Sequence, residues 1–418
     1  MRWIYEAVLK PRLTYGAAVW WKRTALSTSN ILLERLRSLI VRSISGAIKS
    51  TPTAALGLLL NIEPLKVTLA AAAAQALHRI TNSLGKGNMQ GLLQLPKGLD
   101  EKGILRMNPD AMSKTFLFDK KYRLSIPSRV ERDDERINIP NNGDLWYTDG
   151  SRRKDAAGAG VYCRQNGVGT ILPLSRYTTV LQTELIAIMW AAQAALAGSM
   201  RPRIYICSDS KSALQALDSF ATKSKLVWDC VQTLNRLALK ASVTLLWVPG
   251  HNGVKGKMIA DDLAKLGAKS DLIGPEPAVR LCQSLIKGEI RQWATNETNR
   301  IWEEIATCGK TKAFVTTDNA KDWSRAILGL KRAKTKLLEE ILTGNGSLNA
   351  HRHSMGRNKD PFCRFCCTEE ETPEHLLCNC PAITGMRQRH LGTRFLEAED
   401  VQAKHTPGIL SFWEAIGA

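Results

Sequence analysis

The sequence lacks an apolar run long enough to cross a membrane, and its first residues lack the features of a cleaved leader. The longest uncharged apolar stretches, residues 67–77 and 185–198, are shorter than the ~20 residues that a bilayer requires. Residues 1–6 do not resemble a signal peptide. We therefore expect no membrane partner and an intracellular protein, either nuclear or cytoplasmic.

Acidic residues are scarce in this chain. Its 418 residues include 39 Asp and Glu against 58 Lys and Arg, which gives a formal net charge of +19. An excess of this size favours a nucleic-acid partner, whose phosphates attract basic side chains, over a merely soluble basic protein. The length is sufficient for two or three domains that each bury a core.

Half of the ten cysteines lie between residues 363 and 380. The other five are scattered, as is usual in reducing compartments: Cys163, Cys207, Cys230, Cys282 and Cys308. Within the cluster, four potential ligands follow the spacing Cys-x2-Cys-x8-His-x4-Cys: Cys363, Cys366, His375 and Cys380. Three thiolates and one imidazole are the ligands of a tetrahedral structural zinc site. A disulfide knot is the alternative, but it suits secreted domains, and Cys367 or Cys378 could compete as a ligand.

Four acidic residues stand in separate short motifs: Asp149, Glu184, Asp209 and Asp261. Each alone is typical of a turn, a helix start or a solvated helix face. Together they suit Mg²⁺, which prefers oxygen ligands. Two such ions ~4 Å apart hold the attacking water and the leaving oxygen of a phosphodiester when several carboxylates converge on them.

The pattern around these acids predicts a mixed sheet with helices packed on it. Residues 145–148 form a strand that we expect to stop at the turn signal Asp149-Gly150. Residues 159–163 and 169–174 are the next two strands, and residues 203–207 and 242–248 are later ones. Asp149 and Asp209 would then lie at the carboxyl ends of strands, and Glu184 in the first turn of a helix over residues 183–197.

With their neighbours, the four acids resemble the motifs of type 1 ribonuclease H. The matching segments are Tyr147–Ser151, Gln182–Leu185, Ser208–Ser210 and Ala260–Ala264. The resemblance implies a ribonuclease H-like α/β domain that cuts the RNA strand of RNA–DNA hybrids. It also implies that the four acids hold two Mg²⁺ (or Mn²⁺) ions, and that His251 assists proton movement or product release from a flexible loop.

The chain departs from this family just before the last acid. Relatives commonly have Gly-Asn-Glu where this chain has Gly256, Lys257 and Met258. An acidic residue is lost and a basic one gained, so the charge near the expected metal site changes.

The flanking regions resemble insect jockey-type non-LTR retrotransposon polyproteins. The segments that carry this similarity are Tyr15–Trp21, Ser50–Leu56, Ile62–Leu65 and Leu342–Asn349, together with the Cys-Cys-His-Cys spacing. The chain is similar to the part that follows the reverse transcriptase in such elements. The expected order is a helical segment (1–85), a linker (86–142), the ribonuclease H domain (143–270), a helical linker region (271–350), a zinc knuckle (351–395) and a tail (396–418).

Two classes of function follow from these features. The first is an active endonuclease on RNA–DNA hybrids. The second is a decayed or repurposed protein that binds nucleic acid through its basic helices and zinc knuckle without cutting it. Retention of all four acids favours the first class, and Met258 favours the second.

Overall fold

The computed structural model describes residues 2–84, 95–99, 103–126, 140–198, 201–250, 254–274, 276 and 279–417. The chain divides into two compact units. Residues 100–288 form the α/β unit, which contains the sheets. Residues 1–99 and 289–418 together form the helical unit.

The described part of the α/β unit contains eight strands. They are β1 (Thr115–Phe116), β2 (Arg123–Ser125), β3 (Asp144–Arg152), β4 (Ala157–Cys163), β5 (Gly169–Leu174), β6 (Arg203–Ser208), β7 (Ala221–Thr222) and β8 (Ser242–Trp247). Six of them form one sheet in the order β2-β8-β6-β3-β4-β5, and β1 and β7 form a separate antiparallel pair. β4 is antiparallel to both of its neighbours, whereas β2, β8, β6 and β3 are parallel.

Helices cover both faces of the larger sheet. Four helices matter for the site: α1 (Val180–Ala197), α2 (Lys211–Asp218), α3 (Lys225–Ala238) and α4 (Lys255–Gly267). Because successive side chains of a strand point to opposite faces, Trp146 of β3 packs in the core that includes α1 and α3. Its neighbours Leu145 and Tyr147 pack in the core that includes Ala260 of α4. The predicted mixed sheet flanked by helices is confirmed.

Although the uncharged run of residues 185–198 is shorter than a membrane span, helix α1 as a whole is, among the residues described here, the one helix long and apolar enough to span a membrane by length and composition. It packs on β3, β4 and α3 in the unit's interior. A capping box defines its start: the Thr179 hydroxyl accepts the backbone N–H of Gln182, and the Gln182 side chain accepts that of Thr179. The helix therefore begins three residues earlier than predicted, and Glu184 lies at the start of its second turn.

Strand β3 does not stop at Asp149, as the sequence predicted, but continues to Arg152. Asp149 pairs with Gly160 of β4, and Gly150 pairs with Ala159. The glycine serves close packing instead of a turn, because an added Cβ would lie 2.2 Å from the hydroxyl oxygen of Thr183 on α1. Asp149 is therefore held by a continuous strand, which fixes its position more firmly than a turn would.

The segment predicted as a linker over residues 86–142 contributes to the α/β unit. Its β2 is an edge strand, in parallel register with β8 from Arg123↔Thr244 to Ser125↔Leu246. Tyr122 is buried, and its hydroxyl donates to the carbonyl of Leu217 at 2.7 Å. Part of this segment thus belongs to the folded sheet.

The helical unit contains helices from both ends of the chain. Its α-helices are Arg2–Ile4, Lys10–Thr14, Ala17–Trp20, Ser27–Ser45, Thr53–Leu59, Leu65–Leu84, Gln283–Glu304 (whose first residues belong to the α/β unit), Gly309–Lys312, Ala320–Leu328, Arg332–Thr343, Asn349–Ser354, Thr384–Leu391 and Thr406–Ala415, with π-helices at Tyr5–Leu9 and His375–Asn379. One of the longer helices of this unit begins at Ser27, directly after Leu26. Pro52 and Pro64 each precede a helix directly.

One hydrophobic core joins the segments of the helical unit. Leu56 comes from the N-terminal part, Trp323 and Leu342 from the region predicted as a helical linker, and Leu377 and Phe412 from the C-terminal end. All five side chains are fully buried. The N-terminal helices, the cysteine-rich segment and the tail are consequently parts of one unit and share its stability.

Gly256 sets the spacing between α4 and β3. A Cβ on this residue would lie 2.2 Å from the ring of Tyr147. We expect Gly256→Ala to lower the free energy of unfolding of the α/β unit by ~1–3 kcal/mol, as overpacking usually does. Chemical denaturation followed by circular dichroism measures this. Gly288→Ala is the matched control, since no atom beyond its chain neighbours and the backbone of its own helix lies within 4 Å of its added Cβ. An equal loss in both variants would contradict the packing role of Gly256.

Glu339 makes the stability of the helical unit pH-dependent. Burial raises the pKa of Glu339 from an ordinary 4.5 to about 8, which the hydroxyl of Ser45 only partly offsets. Between pH 4.5 and 8 the unfolded chain therefore releases a proton that the folded chain retains, so this residue lowers stability as pH rises through that window. Glu339→Gln should remove this loss of folding free energy at high pH, which amounts to ~1.4 kcal/mol per unit of difference between the folded and unfolded pKa values.

The measurement is the free energy of unfolding of both proteins at pH 5 and at pH 8. The variant should gain stability relative to the wild type at pH 8 and little at pH 5. Glu303→Gln, at an exposed position of the same unit, is the control. A gain for Glu339→Gln that is the same at both pH values would contradict the assignment.

Candidate functional site

Three of the four predicted acids meet at one end of the sheet. β3 and β6 are parallel neighbours in which Tyr147 pairs with Cys207, so Asp149 and Asp209 follow at matching positions two residues later. Helix α1 brings Glu184 to the same place. One carboxylate oxygen from each of Asp149, Glu184 and Asp209 lies within 4.8 Å of the others. These residues are called the three-acid cluster below.

Two members of the three-acid cluster are buried. Burial, together with the charge of the neighbouring Asp149, raises the pKa of Glu184 to about 8. Burial also raises the pKa of Asp149 to about 6, although Lys257 opposes this change. The side chain of Asp209 remains 27% exposed, so the cluster is open to solvent on its side. Buried carboxylates at this spacing stay charged only beside a cation, because their mutual repulsion and desolvation disfavour the charged forms.

A lysine ammonium lies among these carboxylates. Lys257 on α4 is 2% exposed, and its Nζ contacts Oδ1 of Asp149 and lies 2.7 Å from Oδ1 of Asp209. It also donates to the backbone carbonyl of Thr148 at 2.9 Å. Burial by itself would lower the pKa of Lys257, but the attraction of Asp149 and Asp209 raises it above its usual value. The side chain is therefore held as a cation.

The fourth predicted acid, Asp261, lies outside the three-acid cluster. It is on α4, one turn after Lys257, and its carboxylate accepts from Lys265 Nζ at 2.5 Å. Its side chain is 40% exposed. Its charge nevertheless contributes to the raised pKa of Asp149. His251, predicted to assist proton movement, lies outside the described residues.

The donor set of the three-acid cluster suits a hard divalent cation. Its three carboxylates converge from three elements and supply only oxygen atoms, as Mg²⁺ requires. Oδ1 of Asp149 and Oδ1 of Asp209 are both engaged by Lys257. The residues thus fit a metal, while two of the oxygen atoms are shared with an internal cation.

The four predicted zinc ligands also come together. Cys363, Cys366, His375 and Cys380 offer ligand atoms within 4.8 Å of one another and are called the Cys/His cluster below. The Sγ atoms of Cys363 and Cys380 are 3.8 Å apart, and Sγ of Cys366 is 3.3 Å from Nε2 of His375. A tetrahedral zinc with Zn–S bonds of ~2.3 Å sets its sulfurs about 3.8 Å apart. The arrangement therefore has the dimensions of a zinc site.

Neighbouring polar groups orient the Cys/His cluster. Nδ1 of His375 lies 2.8 Å from Oε2 of Glu369, which turns Nε2 towards the sulfur atoms. A carboxylate behind a histidine is a common way to fix a metal ligand. Glu371 is fully buried, and it accepts two hydrogen bonds from the guanidinium of Arg364 at 2.6 and 2.9 Å. This ion pair holds the loop between the first two cysteines and the histidine.

The two spare cysteines have different surroundings. Cys378 is buried in the core of the helical unit together with Leu376 and Leu377, and it is not part of the Cys/His cluster. Cys367 is exposed and has a φ of 55°, a backbone conformation that favours glycine. The geometry thus favours Cys380 over Cys378 as the fourth ligand, an alternative that spacing alone left open.

Sequence reasoning missed the central place of Lys257. The departure from the family pattern indicated a change of charge near the site. It did not indicate that Lys257 enters the site, because a lysine on a helix is usually solvated. The signal was its position directly after Gly256, the residue through which α4 approaches β3. Glu369 and Glu371, which support the Cys/His cluster, were also not singled out.

Comparisons with known proteins agree with this geometry. Residues 141–269 match the family model described as RNase H. The Pol polyproteins of equine infectious anemia virus isolates 1369 and CL22 are each 29% identical over 162 residues, and that of strain Wyoming is 28% identical. Each match covers 37% of this chain but 13% of the polyprotein, so the chain spans a small part of these relatives. The α/β unit therefore contains an RNase H domain similar to part of a retroviral polyprotein, a fold that implies divalent metal use.

Proposed function

We propose that the RNase H domain hydrolyses the RNA strand of RNA–DNA hybrids with two Mg²⁺ or Mn²⁺ ions. The observation that carries this proposal is the convergence of Asp149, Glu184 and Asp209 within the segment that matches the family. Bound ions would activate a water molecule and neutralise the charge that develops on the phosphate. The products would be a 3′-hydroxyl and a 5′-phosphate.

The chain's own residues take separate roles in this proposal. The three-acid cluster binds the cations from the sheet side, where β3 and α1 hold two of its members rigidly. Asp261 lies one helical turn from Lys257. It joins as a fourth ligand when its carboxylate turns from Lys265 to the three-acid cluster. His251 moves a proton or assists product release, a role that stays a prediction. Recognition rests on the RNA 2′-hydroxyls and on the hybrid's shape, with basic side chains on the phosphates.

The second candidate function is binding of nucleic acid without cleavage. The observation that favours it is the Lys257 ammonium, which engages Asp149 and Asp209 where cations would bind. The net charge of +19 supports binding in either case. A cleavage assay on a labelled hybrid, with and without Mg²⁺, separates the two functions directly.

For the origin of the chain we propose an insect jockey-type non-LTR retrotransposon polyprotein. The support is the combination of post-polymerase helix motifs, an RNase H domain and a Cys-Cys-His-Cys cluster in one chain. Retroviral Pol polyproteins, to which the chain is also similar, share the RNase H part of this plan. An intracellular location, nuclear or cytoplasmic, fits a protein whose ten cysteines are all unpaired.

Glu184→Gln tests the nuclease proposal without disturbing Lys257. The substitution keeps the size of the side chain but removes one carboxylate ligand, so Mg²⁺-dependent cleavage should fall by roughly 10²-fold or more while hybrid binding persists. Initial cleavage rates and a gel-shift titration measure the two properties. Glu276→Gln, at a partly exposed ion pair with Arg176 in the same unit, should leave the rate unchanged. Full activity in Glu184→Gln would refute the assignment of this residue.

We further propose that the Cys/His cluster binds one structural zinc ion. Because Cys363 and Cys380 belong to the core of the helical unit, the metal would stabilise that whole unit and not a separate knuckle. Cys380→Ser should lower the zinc content from about one ion per chain to near zero and reduce the unit's melting temperature. Elemental analysis of protein purified under reducing conditions measures the content.

Cys378→Ser is the matched control, two residues upstream of Cys380 and within the π-helix that Cys380 caps. It should retain zinc, since Cys378 faces the core. Loss of zinc in Cys378→Ser with retention in Cys380→Ser would contradict the proposed ligand set. Zinc-free wild-type protein would contradict the site altogether.

A further inference from the structure

The contacts of Lys257 are those of a bound cation and not of a surface ion pair. Its Nζ has three oxygen acceptors: the Asp149 carboxylate, the Asp209 carboxylate and the Thr148 carbonyl. The side chain is 2% exposed. By contrast, Lys265 on the same helix meets one carboxylate, that of Asp261, and is 56% exposed. Surface pairs of the second kind contribute little, whereas a buried, multiply bonded ammonium is part of the fold.

Close packing of α4 places the ammonium there. Gly256 lies against the ring of Tyr147 with no room for a side chain, so the next residue enters the space between the helix and the end of β3. Lys257 fills that space with its aliphatic stem and presents Nζ to the carboxylates. The close approach of the α4 backbone to Tyr147 thus sets the position of the ammonium.

We infer that the Lys257 ammonium is the resident counter-cation of the three-acid cluster and that a divalent ion binds there only by displacing it. This inference rests on the metal site of the proposed function. Any ion held by Oδ1 of Asp149 and Oδ1 of Asp209 would lie close to the ammonium that both oxygen atoms already contact. Two cations that share these carboxylates also repel each other strongly in a buried site.

Two consequences follow for the domain. Its acidic site is partly neutralised in the absence of metal, so the repulsion among the three acids costs the metal-free fold less stability. Its affinity for divalent ions is reduced, because binding includes the cost of removing a well-bonded ammonium. The residue at position 257 thus determines how readily the site takes up metal.

Direct metal binding by the full chain tests this inference. We expect Lys257→Met, which keeps the stem but removes the charge, to bind Mn²⁺ at least ~10-fold more tightly than the wild type by titration calorimetry. Tenfold corresponds to ~1.4 kcal/mol, less than the repulsion of two charges ~4 Å apart near a protein surface. The variant's melting temperature should also rise more on addition of Mn²⁺. Lys255→Met, two residues earlier and exposed, should match the wild type.

Two further measurements cover the case in which Lys257→Met does not fold without metal. Lys257→Gln retains a hydrogen-bond donor and should show the same tighter binding. In the wild type, NMR of ¹⁵N-labelled lysine should show the hydrogen-bonded Lys257 ammonium signal shift when Mg²⁺ saturates the site. Equal or weaker Mn²⁺ binding in both Lys257 variants, or an unchanged ammonium signal at saturation, would overturn the inference.

These readouts are independent of catalysis. If wild-type protein fails to cleave hybrids but the Lys257 variants bind Mn²⁺ more tightly, the nuclease proposal fails and the inference that Lys257 is the counter-cation stands. If the wild type cleaves hybrids and all the proteins bind Mn²⁺ equally, the nuclease proposal stands and the counter-cation is refuted.

Discussion

Carboxylates buried close together must be neutralised, and this requirement governs the α/β unit. Parallel strands β3 and β6 align Asp149 and Asp209, and α1 adds Glu184, so negative charge is concentrated at one end of the sheet. In low-dielectric surroundings such carboxyl groups are accommodated either beside a cation or in the protonated, uncharged form. The raised pKa values of Asp149 and Glu184 and the buried ammonium of Lys257 are different responses to the same constraint.

The second candidate metal site is integrated into its surroundings in a comparable way. The Cys/His cluster is attached to a core that also contains Leu56 from the N-terminal helices and Phe412 from the C-terminal helix. A short metal module that stands alone must derive its fold from the metal. Here the π-helix that carries His375 packs on the same core, so metal binding and helix packing would support each other. This coupling links residues more than 300 positions apart in sequence.

Both sites therefore depend on long-range packing for their geometry. In the α/β unit the close contact between Gly256 and Tyr147 determines where Lys257 lies, and the contact between Gly150 and Thr183 determines where Glu184 lies. In the helical unit the Arg364–Glu371 pair and the bond between Glu369 and His375 orient the ligands. Metal-binding chemistry at either site would thus be sensitive to substitutions that touch no ligand.

Sequence alone was sufficient for the fold class of the α/β unit, most strand and helix positions, and the identity of the groups that converge. Local patterns determine these, because apolar periodicity and ligand spacing act over a few residues, as in the strand over residues 159–163 and across Cys363-x2-Cys366. Tertiary structure decided the rest. The continuation of β3 through Asp149, the pairing of β2 with β8 and the shared core of the helical unit all arise from contacts between distant residues. The separation of Asp261 from the three-acid cluster and the insertion of Lys257 into it have the same origin. No local pattern shows which way a side chain points once helices pack on a sheet.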